Sequence, residues 1–231
     1  MKTIGLIGGM SWESTAEYYR IINEAIRERL GGSHSAKIVM YSVDFEEVRE
    51  LHRAGNWDEA TSLMIDAAKR VERGGADFVL ICTNTMHKMA EEVAASINIP
   101  LLHIADVTAE KIIPFGFKKL GLLGSTFTME EDFYKGRLKE KYGLDVVIPN
   151  EADRQAVDNI IFAELCLGER KVPSREQIKA IMKKLIDNGA QGIILGCTEL
   201  PLLLKQEDCS VPLFDTTAIH AKAAVDYALR D

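Results

Sequence analysis

The residues best suited to chemistry form the consecutive run Cys197–Glu199, which directly follows a short apolar segment. That segment, Ile193–Leu195, has the pattern of a strand buried on both faces of a parallel sheet. Ligands of open α/β sheets bind beyond the carboxyl ends of the strands, so a thiol, a hydroxyl and a carboxylate are predicted to meet there. Backbone N–H groups at a strand-to-helix junction stabilise a thiolate, and we therefore expect the pKa of Cys197 to be lowered. A buried, unreactive cysteine is the alternative.

A second segment earlier in the chain repeats this arrangement. Val79–Ile81 aligns with Ile193–Leu195, and the same register places Thr83 on Cys197. Taken alone, Thr83 would be interpreted as a helix N-cap, whereas the repeat predicts that its hydroxyl is the partner of the Cys197 thiol. The polar groups predicted to surround one small ligand at the two tips belong to Asn84, Thr85, Thr198 and Glu199.

The two tips are part of a longer internal repeat. Lys118–Gly124 repeats the residue types of Lys2–Gly8, and Val211–Phe214 repeats those of Ile99–Leu102. With the two apolar segments above, these matches fall in the same order and at nearly constant spacing. We interpret them as an internal duplication, which predicts an α/β fold of two pseudo-symmetric, doubly wound lobes, each a parallel sheet flanked by helices.

The duplication also predicts how the lobes divide the sequence. We expect a first α/β lobe at residues 1–105 and a second at residues 106–215. A C-terminal helix at residues 216–231 is expected to pack on the first lobe. Pseudo-twofold symmetry would make the two tips face each other, which predicts an active site in the cleft between the lobes.

Composition and charge exclude several classes of function. The chain has 231 residues and a net charge of -7, without a block of like charges, which argues against nucleic acid and anionic membranes as partners. No apolar run approaches the roughly 20 residues of a membrane span, and the N-terminus has no cleavable signal pattern. The four cysteines lack the CxxC spacing of a metal site, so we expect no bound metal and a cytoplasmic protein with reduced thiols.

Four motifs, taken together, resemble those of the aspartate/glutamate racemase family: Gly8–Ser11, Asn84–His87, Leu123–Thr126 and Gly196–Glu199. The resemblance covers essentially the whole chain and is strongest to the broad-specificity amino-acid racemases of enteric bacteria. It implies racemisation of a small amino acid without a cofactor, usually by a homodimer. In this family, two cysteines on opposite faces of the substrate α-carbon act in turn as base and acid. Hydroxyl and amide groups of the family motifs hold the amino and carboxylate groups of the substrate.

The sequence departs from this family pattern at two positions. The family has a cysteine directly before the Asn-Thr pair, whereas Thr83 stands here and the cysteine has moved to Cys82. Because successive strand residues point to opposite faces, Cys82 is expected to point away if Thr83 points into the site. We therefore predict Cys197 as the base and Thr83 as its partner, with Cys82 as the alternative. Where aspartate racemases have a lysine that binds the side-chain carboxylate, this chain has Cys166, so a dicarboxylic substrate is not required.

The remaining candidates come from the matched motifs and from the helix after the second strand. The expected substrate contacts there are Met10, Ser11, Thr126 and His52. His87 either orients the Asn-Thr loop or moves protons, since histidine titrates near neutrality. Two functions of other classes stay open. One is a single-cysteine lyase or isomerase of the arylmalonate decarboxylase or maleate isomerase type, and the other is a non-catalytic protein that binds a small ligand.

Overall fold

The computed structural model describes residues 1–230, which form two compact units. The first unit contains Met1–Ile104 together with the chain from His220 onward, and the second contains Ala105–Ile219. Each unit is built on a parallel sheet with helices against it. The predicted α/β fold with two parallel sheets is confirmed.

The first unit has a three-stranded parallel sheet in the order β2-β1-β3. Its strands are β1 (Ile4–Gly8), β2 (Ile38–Ser42) and β3 (Phe78–Ile81). Its helices are α1 (Trp12–Leu30), α2 (Phe45–Ala54), α3 (Trp57–Arg73) and α4 (Ala90–Ala95). The next helix, α5 (Ile104–Ile112), begins at the last residue before the chain enters the second unit.

The second unit has a four-stranded parallel sheet in the order β5-β4-β6-β7. The strands are β4 (Lys119–Gly124), β5 (Asp145–Val147), β6 (Ile193–Gly196) and β7 (Leu213–Asp215). The helices are α6 (Thr126–Glu130), α7 (Asp132–Tyr142), α8 (Glu151–Ala163), α9 (Val172–Asp187), α10 (Leu200–Leu203) and α11 (Thr216–Ala228). Helix α11 starts in the second unit and continues into the first.

The three strands of the first sheet correspond to three of the four strands of the second, as expected for a duplicated chain. In the first sheet Gly5 pairs with Val79, and in the second Gly121 pairs with Ile193. A parallel bridge between Val79 and Leu101 occupies the place that β7 has beside β6. The three pairs of matched segments in the sequence therefore occupy corresponding positions in the two sheets.

Strand β3 has a hydrophobic core on each of its faces. Val79 and Ile81 lie in a cluster with buried side chains of α3, including Met64. Phe78, Leu80 and Cys82 lie in a second cluster with buried residues of α1 and α11, among them Tyr18, Ile22, Ala221 and Val225. The alternation along the strand explains both clusters, because successive side chains point to opposite faces.

Local capping explains where several helices begin. Asp44 accepts a hydrogen bond from the Glu46 N–H at the start of α2, and Asn150 caps α8 in the same way through the Asp153 N–H. Ser11 occupies the N-cap position of α1, but its side chain makes no capping hydrogen bond. None of the helices within residues 1–230 is long and apolar enough to cross a membrane.

The chain after β3 starts a helix, as a Thr83 N-cap would suggest, but of the 3-10 type. This 3-10 helix spans Thr85–Met89 and leads into α4.

Candidate active site

The tip of β6 places three polar side chains together. The Cys197 thiol donates a hydrogen bond to Glu199 Oε2 at 2.9 Å, and the Thr198 hydroxyl donates to the same oxygen at 2.9 Å. Thr198 and Glu199 are each 3% exposed, whereas Cys197 is partly exposed. Cys197 is therefore the side chain of the three that remains accessible, and the Glu199 carboxylate lies behind it.

The expected lowering of the Cys197 pKa is wrong, because the structure raises it well above the ordinary thiol value. Loss of hydration within the protein is the largest cause, and the negative charge of Glu199 is the next. Cys166 also lies close enough to raise the Cys197 pKa further. Helix α10, which follows the tip, spans only Leu200–Leu203 and offers little dipole to oppose these effects. In the resting protein the thiol is protonated and held by a carboxylate that can accept its proton.

A close approach between two glycines brings the end of β4 beside this tip. Gly124 pairs with Gly196, and a Cβ atom on Gly124 would lie only 2.7 Å from the Gly196 carbonyl oxygen. A side chain at either position would separate the strands. The backbone N–H of Thr126 donates to Asp158 Oδ1 at 2.7 Å, which fixes Thr126 two residues after β4. Thr126 thus lies at the same edge of the sheet as Cys197, and its predicted contact with a substrate stays a prediction.

Buried and partly exposed side chains alternate among the candidates that follow β3. Thr83 and Thr85 are partly exposed, whereas Cys82 and Asn84 are buried. Cys82 is fully buried in the cluster that contains Tyr18, and this burial raises the pKa of its thiol. Cys82 is therefore poorly suited to act as a base, and the direction of the Thr83 side chain stays a prediction.

The chain after β1 forms the second side of this edge. The Gly9 N–H donates to the Thr15 hydroxyl at 2.9 Å, and that hydroxyl donates to the Ser11 carbonyl at 2.8 Å. Gly9 adopts a φ of 95°, and a Cβ there would meet the backbone of Val43 at 2.2 Å. Met10 packs in the hydrophobic core and is 4% exposed, and Ser11 is 1% exposed. Their predicted contacts with a substrate stay predictions.

His52 lies next to the β3 tip rather than in solvent. Its Nε2 is 3.1 Å from the Met86 sulfur, and its ring packs at 4.9 Å from the Trp57 ring. Burial and the charge of Lys88 lower the pKa of His52, so the ring is neutral at physiological pH. Lys88 itself lies over the Trp57 ring, 4.1 Å from its centroid. His52 can thus offer a substrate a neutral hydrogen-bonding group but not a positive charge.

Known proteins match this fold and these motifs along nearly the whole chain. The family model for Asp/Glu/hydantoin racemases matches residues 7–224.

The chain belongs to the Asp/Glu/hydantoin racemase family.

Named relatives agree with this assignment. The broad-specificity amino-acid racemase RacX of Bacillus subtilis is 29% identical over 229 residues, which cover 96% of each chain. A crystal structure from Yersinia pestis, of a protein proposed as an Asp/Glu racemase, is 54% identical with a TM-score of 0.92 and full coverage of both chains. An aspartate racemase homologue from Pyrococcus horikoshii OT3 is 38% identical with a TM-score of 0.85, again with full coverage. The protein is therefore an isomerase of the racemase type.

Sequence reasoning missed two residues that contact these candidates. Asp158 fixes Thr126 from α8, and His220 contacts the ring of His87. Both act across long sequence separations, so no local pattern indicates them. Cys166, which the sequence singled out at the position of the racemase lysine, also raises the Cys197 pKa from a 3-10 turn over Leu165–Leu167. Within residues 1–230 there is no group of three or more His, Cys, Asp or Glu side chains that could hold a metal ion.

Proposed function

We propose that this racemase inverts the α-carbon of small amino acids by direct proton transfer, with aspartate and glutamate among the candidates. Membership of the racemase family and the similarity to the broad-specificity enzyme RacX support the proposal. The observation that carries it is the 2.9 Å hydrogen bond from Cys197 to Glu199, because it joins an accessible thiol to a buried carboxylate.

The first proposed step uses both of these groups. Glu199 accepts the thiol proton, and the resulting Cys197 thiolate removes the α-proton of the L-enantiomer. The electron pair of the broken C–H bond stays on the substrate, where it is delocalised into the carboxylate group. A preorganised polar site can stabilise this carbanion, with Thr198 and Thr126 as the proposed donors in the second unit.

The second proposed step uses Thr83. Its hydroxyl donates a proton to the opposite face of the carbanion, a proton from solvent restores the hydroxyl, and Glu199 releases the thiol proton to solvent. A threonine hydroxyl is a poor base at neutral pH but can still protonate a strongly basic carbanion. Asn84, Thr85 and Ser11 are the proposed contacts for the amino and carboxylate groups. The two directions of the reaction thus use acids and bases of very different strength.

The substrate class follows from the charges near the tips. A second carboxylate on the substrate would gain from a cation. In the second unit Cys166, not a lysine, lies close to Cys197. In the first unit His52 is neutral, and the cation beside it is Lys88, which lies over the Trp57 ring. We therefore propose a broad range of small amino acids rather than strict selection for dicarboxylic ones. No cofactor enters the proposed steps, so adding pyridoxal phosphate should not raise the activity. A homodimer is the proposed assembly, which light scattering tests.

Incubation with single amino-acid enantiomers, followed by chiral chromatography, tests the proposal. The opposite enantiomer should accumulate with the wild-type protein and with Cys209→Ser, and not with Cys197→Ala. Cys209 is a suitable control because it is a cysteine of the same unit that lies outside the β6 tip, directly after a 3-10 turn over Gln206–Asp208. Loss of substrate without its enantiomer would favour the lyase alternative. Binding without any conversion would favour the non-catalytic alternative, and both results would contradict the racemase mechanism.

A further inference from the structure

Both ring nitrogens of His87 are occupied by the backbone. Nδ1 lies 2.7 Å from the Thr83 carbonyl oxygen, and Nε2 lies 3.2 Å from the backbone nitrogen of Ile104. A carbonyl can only accept and a backbone N–H can only donate, so Nδ1 must carry the proton and Nε2 must be the acceptor. An imidazolium would place two N–H donors against each other at Ile104. His87 is therefore a neutral ring of one defined tautomer, and neither nitrogen is available to a substrate.

A second buried histidine supports the first. His220 Nε2 is 2.8 Å from the Leu102 carbonyl oxygen, so it donates, and Nδ1 is 2.9 Å from the Tyr18 hydroxyl, which donates to it. Burial lowers the pKa of His220 to about 3. The His220 ring lies against the His87 ring, with centroids 5.9 Å apart. Both rings are thus neutral. His87 joins two backbone groups, and His220 joins the Tyr18 side chain to the backbone of Leu102.

These bonds tie the tip of β3 to one short segment of the same unit. Leu102 accepts from His220, Ile104 donates to His87, and His103 between them stacks on His87 with ring centroids 4.5 Å apart. His87 in turn holds the Thr83 carbonyl. The position of Thr83 therefore depends on a connected set of buried polar groups, which is rigid when every member is satisfied.

We propose that His87 is a positioning residue that orients Thr83 for proton donation, with His220 holding His87 in place. The inference rests on the proposed role of Thr83. A weakly acidic hydroxyl depends strongly on alignment, and a displacement of about 1 Å can reduce a rate on the order of 100-fold. His87 acts through the Thr83 backbone and does not exchange protons with the substrate. Of the two roles that the sequence left open for His87, orienting the Asn-Thr loop and moving protons, the proposal takes the first.

The test separates the step at Thr83 from the step at Cys197. His87→Ala removes the donor to the Thr83 carbonyl, so inversion of the L-enantiomer should fall on the order of 10- to 100-fold. Exchange of the α-proton of the L-enantiomer in deuterated water should remain near the wild-type rate, because it needs only Cys197. His87→Asn keeps an amide N–H near the place of Nδ1 and should restore part of the inversion. His34→Gln, on an exposed loop residue, is the control.

Two outcomes would overturn the inference. Exchange and inversion that fall together in His87→Ala would indicate a merely structural role, as would an Asn variant no better than Ala. A ¹⁵N spectrum of the wild-type histidine rings at neutral pH gives a reading that does not depend on activity. It should show His87 as the neutral Nδ1–H tautomer, and an Nε2–H or doubly protonated ring would contradict the proposal. Absence of both exchange and inversion in the wild type would instead refute the proposed function, while the spectrum would still decide the tautomer.

Discussion

The Cys197 thiol donates to the Glu199 carboxylate at 2.9 Å, so the accessible sulfur and its proton acceptor are adjacent in the resting protein. The same carboxylate raises the Cys197 pKa and provides the group that can remove its proton. In the proposed mechanism, this thiol becomes a base when its proton passes to Glu199.

Replacing Glu199 by Gln should change reactivity and turnover in opposite directions. Removing the negative charge should lower the Cys197 pKa, because that charge is the second largest cause of its elevation. Alkylation of Cys197 by iodoacetamide, followed by mass spectrometry of its peptide, should therefore have a lower pH midpoint. Turnover should fall by roughly 10²- to 10⁴-fold because the proton acceptor is lost. Glu207→Gln, at an exposed position on the same unit, should change neither. An unchanged alkylation midpoint would refute the electrostatic account.

The two strand-tip cysteines should respond differently to replacement. Cys197→Ala should abolish racemisation, whereas Cys82→Ala should retain most of it because Cys82 is buried in the core with a raised pKa. Thermal unfolding of each variant provides the control for folding. If Cys82→Ala is inactive while still folded, Cys82 rather than Thr83 is the second acid or base.

The buried His220 should make the protein less stable as the pH falls. The pKa is about 3 in the folded chain and about 6.5 in the unfolded chain, so between those values only the unfolded chain binds the proton. The stability contribution is complete above the unfolded pKa and is lost as the pH falls towards the folded one. Well below the unfolded pKa the free energy of unfolding should decrease by about 1.4 kcal/mol per pH unit from this group.

Urea unfolding at a series of pH values measures this slope. His220→Gln keeps an amide donor for Leu102 but does not titrate, so its stability should decline less steeply than that of the wild type. His34→Gln should follow the wild type more closely than His220→Gln does, because His34 is exposed. If the free energy of unfolding depends on pH equally in the wild type and in His220→Gln, folding does not lower the His220 pKa, and the prediction is wrong.

Much of the fold was predictable because it depends on local pattern. The runs Val79–Ile81 and Ile193–Leu195 specify buried strands, and their repeat specifies two sheets with matching registers. The alternation of side chains along β3 likewise continues to Cys82, which lies in one core cluster with Phe78 and Leu80. These features need only the period of a strand and the similarity of two segments.

The chemistry of the tips was less predictable because it depends on contacts between distant residues. The Cys197 pKa follows from the side-chain conformation of Glu199 and from Cys166 on another turn, and neither is visible in the order of residues. The tautomer of His87 follows from Ile104, which approaches it from another segment. The sequence was sufficient to choose candidate groups, whereas the direction of the Cys197 pKa shift and the tautomer of His87 required the structure.

The central claim is that Cys197 and Thr83 act as an unequal pair. Thr83→Cys should strengthen the second acid and base, and should therefore raise turnover from the D-enantiomer. The two enantiomers have equal free energy, so kcat/KM must be the same in both directions for every variant. The difference between Cys197 and Thr83 can therefore appear only in the kcat for each enantiomer and in the exchange of the α-proton with solvent.

The most direct test follows α-proton exchange and inversion together, starting from each pure enantiomer in deuterated water. The L-enantiomer should exchange its α-proton faster than it inverts, because Cys197 can pass its proton through Glu199 to solvent and return a deuteron to the same face. The D-enantiomer should show little exchange without inversion, and Thr83→Cys should reduce the difference. Equal exchange without inversion for both enantiomers in the unmutated protein would contradict the account, because it would require a second base as effective as Cys197.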